Sequence, residues 1–362
     1  MLVRAPGKLM LSGEWSVLTP GNPCIVFAVD RYAQCSLERV SDGFCHISTT
    51  HGSMRGDFDG KQYVWNVMIP ELKLTCCAFN IFCRYCHEMG VDVPLGLRIE
   101  LDSDDMFEEV DGKQKKIGLG SSAASTVSLL SCLLALLGEV DVHVLYKLAY
   151  LAHNESLENK GSGFDIAAAI SGGVLLYKRP NKDWLEENKD RPLQFLLDNQ
   201  WPGLYMKELP NWNIPLSVCW TGTSSLSKVL LKAMHAFEKK HQEQYDTLIH
   251  EISHSTIDAY SAWNTRQISK LRDAIVKNHK ALAKLDAVTG IGILSPELKK
   301  AIKIANDGGS VAKLSGAGGG DCLIALSKDM DQNKKMVEQW RQKGFFPLSV
   351  QIGAKGVHSV TK

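Results

Sequence analysis

The sequence lacks an excess of charge of either sign. Its 41 lysines and arginines nearly balance its 40 aspartates and glutamates, which leaves a formal net charge of +1. Nucleic-acid and membrane-surface binding by electrostatics calls for a basic excess. We therefore expect neither a nucleic-acid nor a membrane partner. Hydrophobic residues make up 44% and charged residues 22% of the 362 positions, a globular composition with room for two domains.

Long hydrophobic runs are also missing. The longest apolar stretch, Thr126 to Leu137, has about 12 residues, whereas a membrane-spanning helix needs roughly 20. This stretch therefore indicates a buried core helix. The opening "MLVRAPGK" has no signal-peptide pattern. We expect a cytoplasmic protein.

Cysteine is too sparse for a disulfide scaffold, with ten in the whole chain, so reduced thiols are expected. Cys83 and Cys86 form one Cys-x-x-Cys pair, which allows a zinc or redox interpretation. No second pair follows, and "CCAFNIFCRYCHEMG" has the apolar spacing of a helix. We interpret these thiols as buried core residues.

Two nucleotide-binding signatures are absent. Each Gly-Lys is followed by Leu or Gln, which excludes the Walker A loop, and the His-Arg-Asp and Asp-Phe-Gly motifs of protein kinases do not occur. Gly118, Gly120 and Ala123 match a dinucleotide fingerprint, but "VDGKQKK" precedes them instead of an apolar strand. A nicotinamide-dependent oxidoreductase is therefore disfavoured.

The hydrophobic spacing predicts an alternation of strands and helices. "MLVRAPGKLMLSGEWSVL" indicates strand, turn and strand, and "DDMFEEVDGKQKK" a solvated loop. "SVAKLSGAGGGDCLIALS" indicates two strands around a glycine loop. Helices are predicted at 71–89, 121–137, 141–153 and from 225 to about 284. The charged segment "KRPNKDWLEENKDRP" predicts a boundary between domains 1–185 and 186–362.

The loop "KIGLGSSAAS" stands directly before an apolar helix. Glycines permit close backbone approach, and the first N–H groups of a helix favour an anion. Ser121 and Ser122 are placed to cap that helix or to contact a phosphate-bound metal. The loop therefore predicts a phosphate site, while a plain capped helix start remains open.

A second loop, "LSGAGGGDC", is by itself compatible with a glycine-rich hairpin. In order and spacing, "APGKLMLSGEWSVL", "GLGSSAAS" and "SGAGGGDCLIAL" together resemble the GHMP kinase superfamily. The resemblance implies an α+β fold with an N-terminal α/β domain, a C-terminal ferredoxin-like domain and the active site in the cleft between them. It also implies a set of ATP-binding residues: Gly118, Leu119, Gly120, Ser121, Ser122, Ala123, Gly316 and Gly318.

Within the superfamily, "GSGFDIAAAISGG", "CWTGTSSLSK" and "SGAGGGDC" are most similar to the phosphomevalonate kinase family. The resemblance implies ATP-dependent, Mg²⁺-assisted transfer to the phosphate of 5-phosphomevalonate, in a monomer or a homodimer that binds small molecules. Ile166, where mevalonate kinases generally have asparagine, favours this branch. A mevalonate kinase or another small-molecule kinase with an alcohol acceptor, and a catalytically silent nucleotide-binding protein, stay open.

The family motifs also assign roles to single residues. The resemblance implies that Lys8 bridges the transferring phosphoryl group and the acceptor and neutralises charge. Asp165 matches the motif aspartate, which acts either as a general base or as a partner of the lysine. A phosphate acceptor has a second pKa near 6, so we expect Asp165 to orient rather than to remove a proton.

Further residues are implied around the acceptor and the metal. Ser162 and Gly163 are expected to touch the acceptor, and the segment from Thr221 through Ser224 to Ser225 either binds its phosphate or ends a strand and caps a helix. Ser122 and, more weakly, Glu155 are candidate Mg²⁺ contacts, although an exposed helix position also suits Glu155. His153 is interpreted as a structural histidine with satisfied hydrogen bonds.

Overall fold

The computed structural model describes residues 1–110, 112–156, 161–224 and 227–360. The α-helices of these ranges are α1 (Lys73–Met89), α2 (Ser121–Ala135), α3 (Val142–Ser156), α4 (Phe164–Ser171), α5 (Lys182–Glu187), α6 (Leu193–Asp198), α7 (Ser227–Lys240), α8 (Gln242–Asn264), α9 (Ile268–Thr289), α10 (Pro296–Asp307) and α11 (Met330–Gln342). The strands are β1 (Leu2–Ser12), β2 (Cys24–Arg39), β3 (Cys45–Thr49), β4 (Gly52–Phe58), β5 (Tyr63–Trp65), β6 (Leu97–Asp102), β7 (Phe107–Val110), β8 (Lys113–Lys116), β9 (Val174–Lys178), β10 (Tyr205–Glu208), β11 (Leu216–Trp220), β12 (Val311–Ser315), β13 (Cys322–Leu326), β14 (Phe346–Leu348) and β15 (His358–Ser359).

A nine-stranded mixed sheet forms the first half of the fold. Its main path runs β10-β9-β2-β6-β3-β4-β5, and β1 pairs with β2 and with β15. The apolar residues of β1 and β2 are almost all buried against α2 and α4. Because most residues of β1 and the first six residues of β2 are buried, these two strands make up the centre of this core.

Strand β1 continues through the segment that the sequence predicts to be a turn. Its pairing with β2 shifts register between Pro6 and Gly7 and again between Met10 and Ser12. Proline cannot donate to a strand ladder and is accommodated at such a bulge. The prediction of a turn between two strands was therefore wrong, because the Pro-Gly pair bends one strand and a short 3₁₀ helix, Ser16–Leu18, follows it.

A second, four-stranded sheet has the order β12-β13-β11-β14, and all its neighbours are antiparallel. Along the chain the strands and helices follow a β-α-β-β-α-β arrangement, with α7 to α10 after β11 and α11 after β13. This is the ferredoxin-like topology that the family resemblance implies for the second half.

The predicted helices are present with small shifts in their ends. Helix α1 buries Cys83 and Cys86, and all ten cysteines are buried and unpaired. The helical prediction from 225 to 284 becomes three helices, α7, α8 and α9. Among the residues that the structure describes, no helix is both long and apolar enough to cross a membrane.

The segment predicted to be a solvated loop is instead the two-stranded hairpin of β7 and β8. Glu108 lies opposite Lys115 across this pair, and opposite charges stabilise facing positions. High charge content therefore led to a wrong prediction of irregular structure. The hairpin matters for the site because it leads directly into the first glycine loop.

The boundary between 1–185 and 186–362 stays a prediction. Two strands beyond residue 185, β10 and β15, pair with β9 and β1 in the first sheet. The second sheet starts only with β11. Sheet membership therefore favours a later crossover, between Glu208 and Leu216, and a return of the chain end to the first half.

Candidate active site

Lys8 lies just after the first bulge of β1. A bulge re-aims the side chains next to it, and the Lys8 ammonium group donates to the carbonyl oxygen of Gly118 at 3.2 Å. The backbone N–H of Lys8 donates to the carbonyl of Leu119 at 2.7 Å. Its ammonium group also lies 5.7 Å from the ring centre of Phe164, the first residue of α4. Lys8 therefore reaches both the first glycine loop and the start of α4.

The first glycine loop ends at the N-terminus of α2. Gly120, with φ 83°, is the N-cap, and no side chain caps the helix. Of the two roles expected for Ser121 and Ser122, capping of α2 was wrong, and contact with a phosphate-bound metal stays a prediction. Ser121 is buried and Ser122 is exposed in the first turn. An uncapped first turn without acidic residues presents N–H groups to an anion.

The second glycine loop packs against the first. A Cβ atom added to Gly118 would lie 2.5 Å from Cγ of Asp321, so only glycine fits at this contact. Gly318 is held close to the backbone of Ile293, whereas Gly316 faces open space. Cys322 donates its thiol to the carbonyl of Ile117 at 3.1 Å. The two loops that the sequence predicts to share the nucleotide are therefore adjacent.

Lys116 is a residue that the sequence reasoning missed. Lys116 is an exposed residue, yet desolvation lowers the pKa of its ammonium group. The Asp321 carboxylate opposes this shift, while Lys8 and Lys228 add to it. The position of Lys116 directly before the glycine loop was the available signal. The site therefore holds clustered positive charge around one carboxylate.

Asp165 is the second residue of α4 and does not cap it. The N-cap is Gly163, with φ 80°, and Oδ1 of Asp165 accepts from the N–H of Ile166 at 3.0 Å. Within the described part of the chain, Asp165 and Lys8 form no direct ion pair. Phe164, whose ring lies near the Lys8 ammonium group, directly precedes Asp165. Lys8 and Asp165 therefore both lie at the start of α4.

His153 lies next to Asp165, with its Nε2 atom 4.0 Å from Oδ2. The histidine is buried, and its Nδ1 atom has no hydrogen-bond partner among the described residues. The expectation that its hydrogen bonds are satisfied is therefore contradicted at Nδ1, whereas a structural role for His153 stays a prediction. Sequence alone hid the contact because the two residues stand on different helices.

The predicted acceptor residues come from two parts of the chain. Ser162 is buried and Gly163 opens α4 beside Asp165. From the second half, Ser224 donates its hydroxyl to the carbonyl of Lys116 at 2.7 Å, and Thr221 donates its N–H to the carbonyl of Asp321 at 3.0 Å. Thr221 and Ser224 thus hydrogen-bond to the backbone of the second glycine loop and of the residue before the first glycine loop, respectively. Ser225 lies outside the described residues.

The two candidate metal contacts, Ser122 and Glu155, lie on different helices. Glu155 is exposed at the end of α3, where its charge raises the pKa of the Cys77 thiol after the larger effect of burial. Ser122 is exposed at the first turn of α2. Across residues 1–110, 112–156, 161–224 and 227–360, no three His, Cys, Asp or Glu side chains form a ready metal site. A protein-only cage for a cation is therefore not built here.

Comparisons with known proteins show which family the chain resembles in sequence. Residues 73–173 match the family model "GHMP kinases N terminal domain" and residues 261–345 match "GHMP kinases C terminal". The chain is 30% identical to a phosphomevalonate kinase of Streptomyces sp. (strain CL190), over 98% of this chain and 97% of that protein. It is 29% identical to a phosphomevalonate kinase of Saccharolobus solfataricus, with 96% of both chains covered.

The fold is also similar to that of a solved structure, the Streptococcus pneumoniae phosphomevalonate kinase in complex with phosphomevalonate and AMPPNP. The TM-score is 0.83 at 23% identity, and the match covers 97% of this chain and 99% of that one. At this identity the likeness extends to the two-sheet fold.

Proposed function

The chain belongs to the GHMP kinase family, and from this premise we propose that it transfers the γ-phosphoryl group of ATP to the phosphate of 5-phosphomevalonate. The products are mevalonate diphosphate and ADP. The 30% identity to the Streptomyces phosphomevalonate kinase, over 98% of this chain, supports 5-phosphomevalonate as the acceptor. The observation that carries the chemistry is Lys8, which reaches from the first glycine loop to the start of the Asp165 helix.

The nucleotide phosphates bind at the uncapped N-terminus of α2. N–H groups of the first turn and the positive end of the helix dipole stabilise them. Gly118 and Gly120 allow the backbone to approach the phosphates closely. The second glycine loop, where a Cβ atom added to Gly316 would meet no other atom within 4 Å, covers the other side of the nucleotide.

In the transfer, an oxygen of the acceptor phosphate attacks the γ-phosphorus, and the bond from that phosphorus to the β,γ-bridging oxygen breaks. The bridging oxygen and its electron pair leave with ADP. Lys8 neutralises charge on the transferring group, where such stabilisation contributes most. Because the acceptor oxygen is already ionised, Asp165 positions the reacting groups.

Mg²⁺ bound together with the nucleotide would neutralise phosphate charge. Mg²⁺ commonly keeps several waters and binds substrate phosphates rather than a dedicated protein cage, which suits a site without clustered carboxylates. The Ser122 hydroxyl, exposed at the first turn of α2, is the contribution of the chain. Glu155, exposed at the end of α3, stays the weaker candidate contact.

An acceptor panel tests the proposal. Purified protein is mixed with ATP and Mg²⁺, and ADP release is followed with 5-phosphomevalonate, mevalonate, galactose or homoserine. We expect release with 5-phosphomevalonate alone. Turnover with mevalonate instead would support a kinase activity with mevalonate, rather than 5-phosphomevalonate, as the acceptor. Tight ATP binding without turnover on any acceptor would contradict the proposed reaction.

A further inference from the structure

Each residue of the loop Gly161–Gly163 contacts a buried polar or aromatic side chain. The N–H of Gly161 donates to Oδ1 of Asn154 at 3.0 Å, and Arg179 donates to the carbonyl of Gly161 at 3.4 Å. Asn154 and Arg179 are both buried. This loop, the acceptor loop, leads directly into the first turn of α4.

The middle of the acceptor loop is held by two tyrosines. The Tyr177 hydroxyl donates to the carbonyl of Ser162 at 2.7 Å, and the hydroxyls of Tyr146 and Tyr177 are 2.9 Å apart. A carbonyl only accepts, so Tyr177 uses its hydrogen on Ser162, and Tyr146 donates to Tyr177. Both tyrosines are fully buried. Their hydroxyls therefore form a directed chain that ends on the loop.

The end of the acceptor loop, Gly163, packs against Tyr150 and Tyr177. Gly163 has φ 80°, and a Cβ atom there would lie 2.5 Å from ring carbons of Tyr150 and 2.9 Å from the Tyr177 hydroxyl. The carbonyl of Gly163 accepts from the N–H of Ala167 at 3.0 Å, which closes the first turn of α4. The position of Asp165, two residues later, therefore depends on how tightly this loop packs.

We propose that Tyr177 is a positioning residue for the acceptor: through its hydrogen bond to Ser162 it fixes the loop that presents Ser162, Gly163 and Asp165. The inference rests on the proposed kinase function. Tyr177 touches neither substrate in this role. A small displacement of a positioning loop costs catalysis strongly, up to about a hundredfold for a shift on the order of 1 Å.

Tyr177→Phe tests the assignment, because it removes the hydroxyl and leaves the ring. Tyr63→Phe is the matched control: Tyr63 is also buried and donates to a backbone carbonyl, that of Pro94, at 2.6 Å, but in β5, away from the loops. Tyr146→Phe removes the upstream donor while the bond to Ser162 remains.

Steady-state rates are measured with the acceptor that the wild-type protein uses, varying acceptor and ATP separately. For Tyr177→Phe we expect kcat/KM for the acceptor to fall about tenfold or more, with the KM for ATP within about twofold of wild type. Tyr146→Phe is expected to give a smaller loss of the same kind. Tyr63→Phe is expected to lower thermal stability without changing either constant.

A second measurement does not depend on turnover. Peptide-resolved hydrogen exchange across Gly161–Ile166 is expected to speed up in Tyr177→Phe and to stay unchanged in Tyr63→Phe. Unchanged exchange, or an acceptor kcat/KM within about twofold of wild type, would overturn the role of Tyr177. A wild-type protein inactive on 5-phosphomevalonate would overturn the proposed function instead, while the exchange result would still decide the role of Tyr177.

Discussion

Lys8 and Asp165 have different tasks in the proposed transfer, and their substitution separates them. Lys8→Ala removes a cation beside the transferring phosphoryl group, so we expect kcat to fall by about 10² to 10³. Asp165→Asn is expected to cost about tenfold, because a phosphate acceptor has little proton to lose near neutral pH. Initial rates of ADP release with 5-phosphomevalonate measure both.

The control for this comparison is Lys113→Ala, an exposed lysine at the start of the β8 strand. It removes one positive charge from the β7–β8 hairpin, outside the proposed site, and is expected to leave kcat unchanged. A greater loss for Asp165→Asn than for Lys8→Ala would contradict the orienting role and favour proton abstraction.

Motifs in the sequence pointed to most of the side chains that the structure brings together. Lys8, the first glycine loop and Asp165 stand in three separate motifs, and they approach one another because β1, α2 and α4 pack together. Lys116 and His153 were not found in this way. The electrostatic influence of Asp321 on Lys116 and the contact of His153 with Asp165 join residues from different parts of the chain, which no local spacing encodes.

Two strands from different sheets, β1 and β12, are joined close to the active site. The Ser315 hydroxyl accepts from the N–H of Met10 at 2.8 Å and donates to the Met10 carbonyl at 3.0 Å. Beyond it, Lys313 donates to the carboxylate of Glu14, and neither side chain is exposed. Burial raises the pKa of Glu14 and lowers that of Lys313, while their mutual attraction opposes both shifts.

Breaking one side of this buried ion pair should be costly. Glu14→Gln leaves the Lys313 ammonium buried without its counter-charge, and we expect a loss of about 3 to 5 kcal/mol in the free energy of unfolding. The double variant Glu14→Met with Lys313→Met removes both charges and is expected to recover most of that loss. Urea unfolding, monitored by fluorescence, gives the free energies.

An exposed ion pair provides the reference. Lys303→Ala removes the ion pair between Lys303 and Asp307, two side chains that are both mostly exposed. We expect the free energy of unfolding to fall by less than about 1 kcal/mol. If the double variant proved no more stable than Glu14→Gln, the cost would come from packing rather than from the uncompensated charge.

Elements with strong periodicity were predictable, and those shaped by contacts were not. The long helices α1, α2 and α3 follow their apolar spacing. Strand β1 bends at a bulge because its register with β2 is fixed by burial on both sides of Pro6, and the sequence pattern could not show this. The β7–β8 hairpin carried an Asp-Gly signal in "VDGK", but its charged residues obscured the alternation.

The chain leaves the first sheet and later returns to it, so the two halves of the sequence are not two independent structures. After β14, Ile352 pairs with Val29 and Lys355 with Gly172. Strand β15 then pairs with β1. A boundary inferred from a charged, proline-containing segment could not detect this return, because strand pairing between distant segments leaves no local signal.

The returning segment packs against the C-terminal end of α4, the helix whose first turn carries Asp165. A Cβ atom on Gly356 would lie 2.1 Å from the carbonyl oxygen of Ile170, so Gly356→Ala must displace backbone. We expect it to lower the free energy of unfolding by about 1 to 3 kcal/mol and to reduce kcat.

In Gly308→Ala the new methyl meets chiefly the flexible side-chain end of Gln339, so both values should stay near wild type. Urea unfolding and ADP release compare the two variants. Equal behaviour would mean that the returning segment does not constrain α4, whereas a selective loss would tie the end of the chain to the acceptor side of the active site.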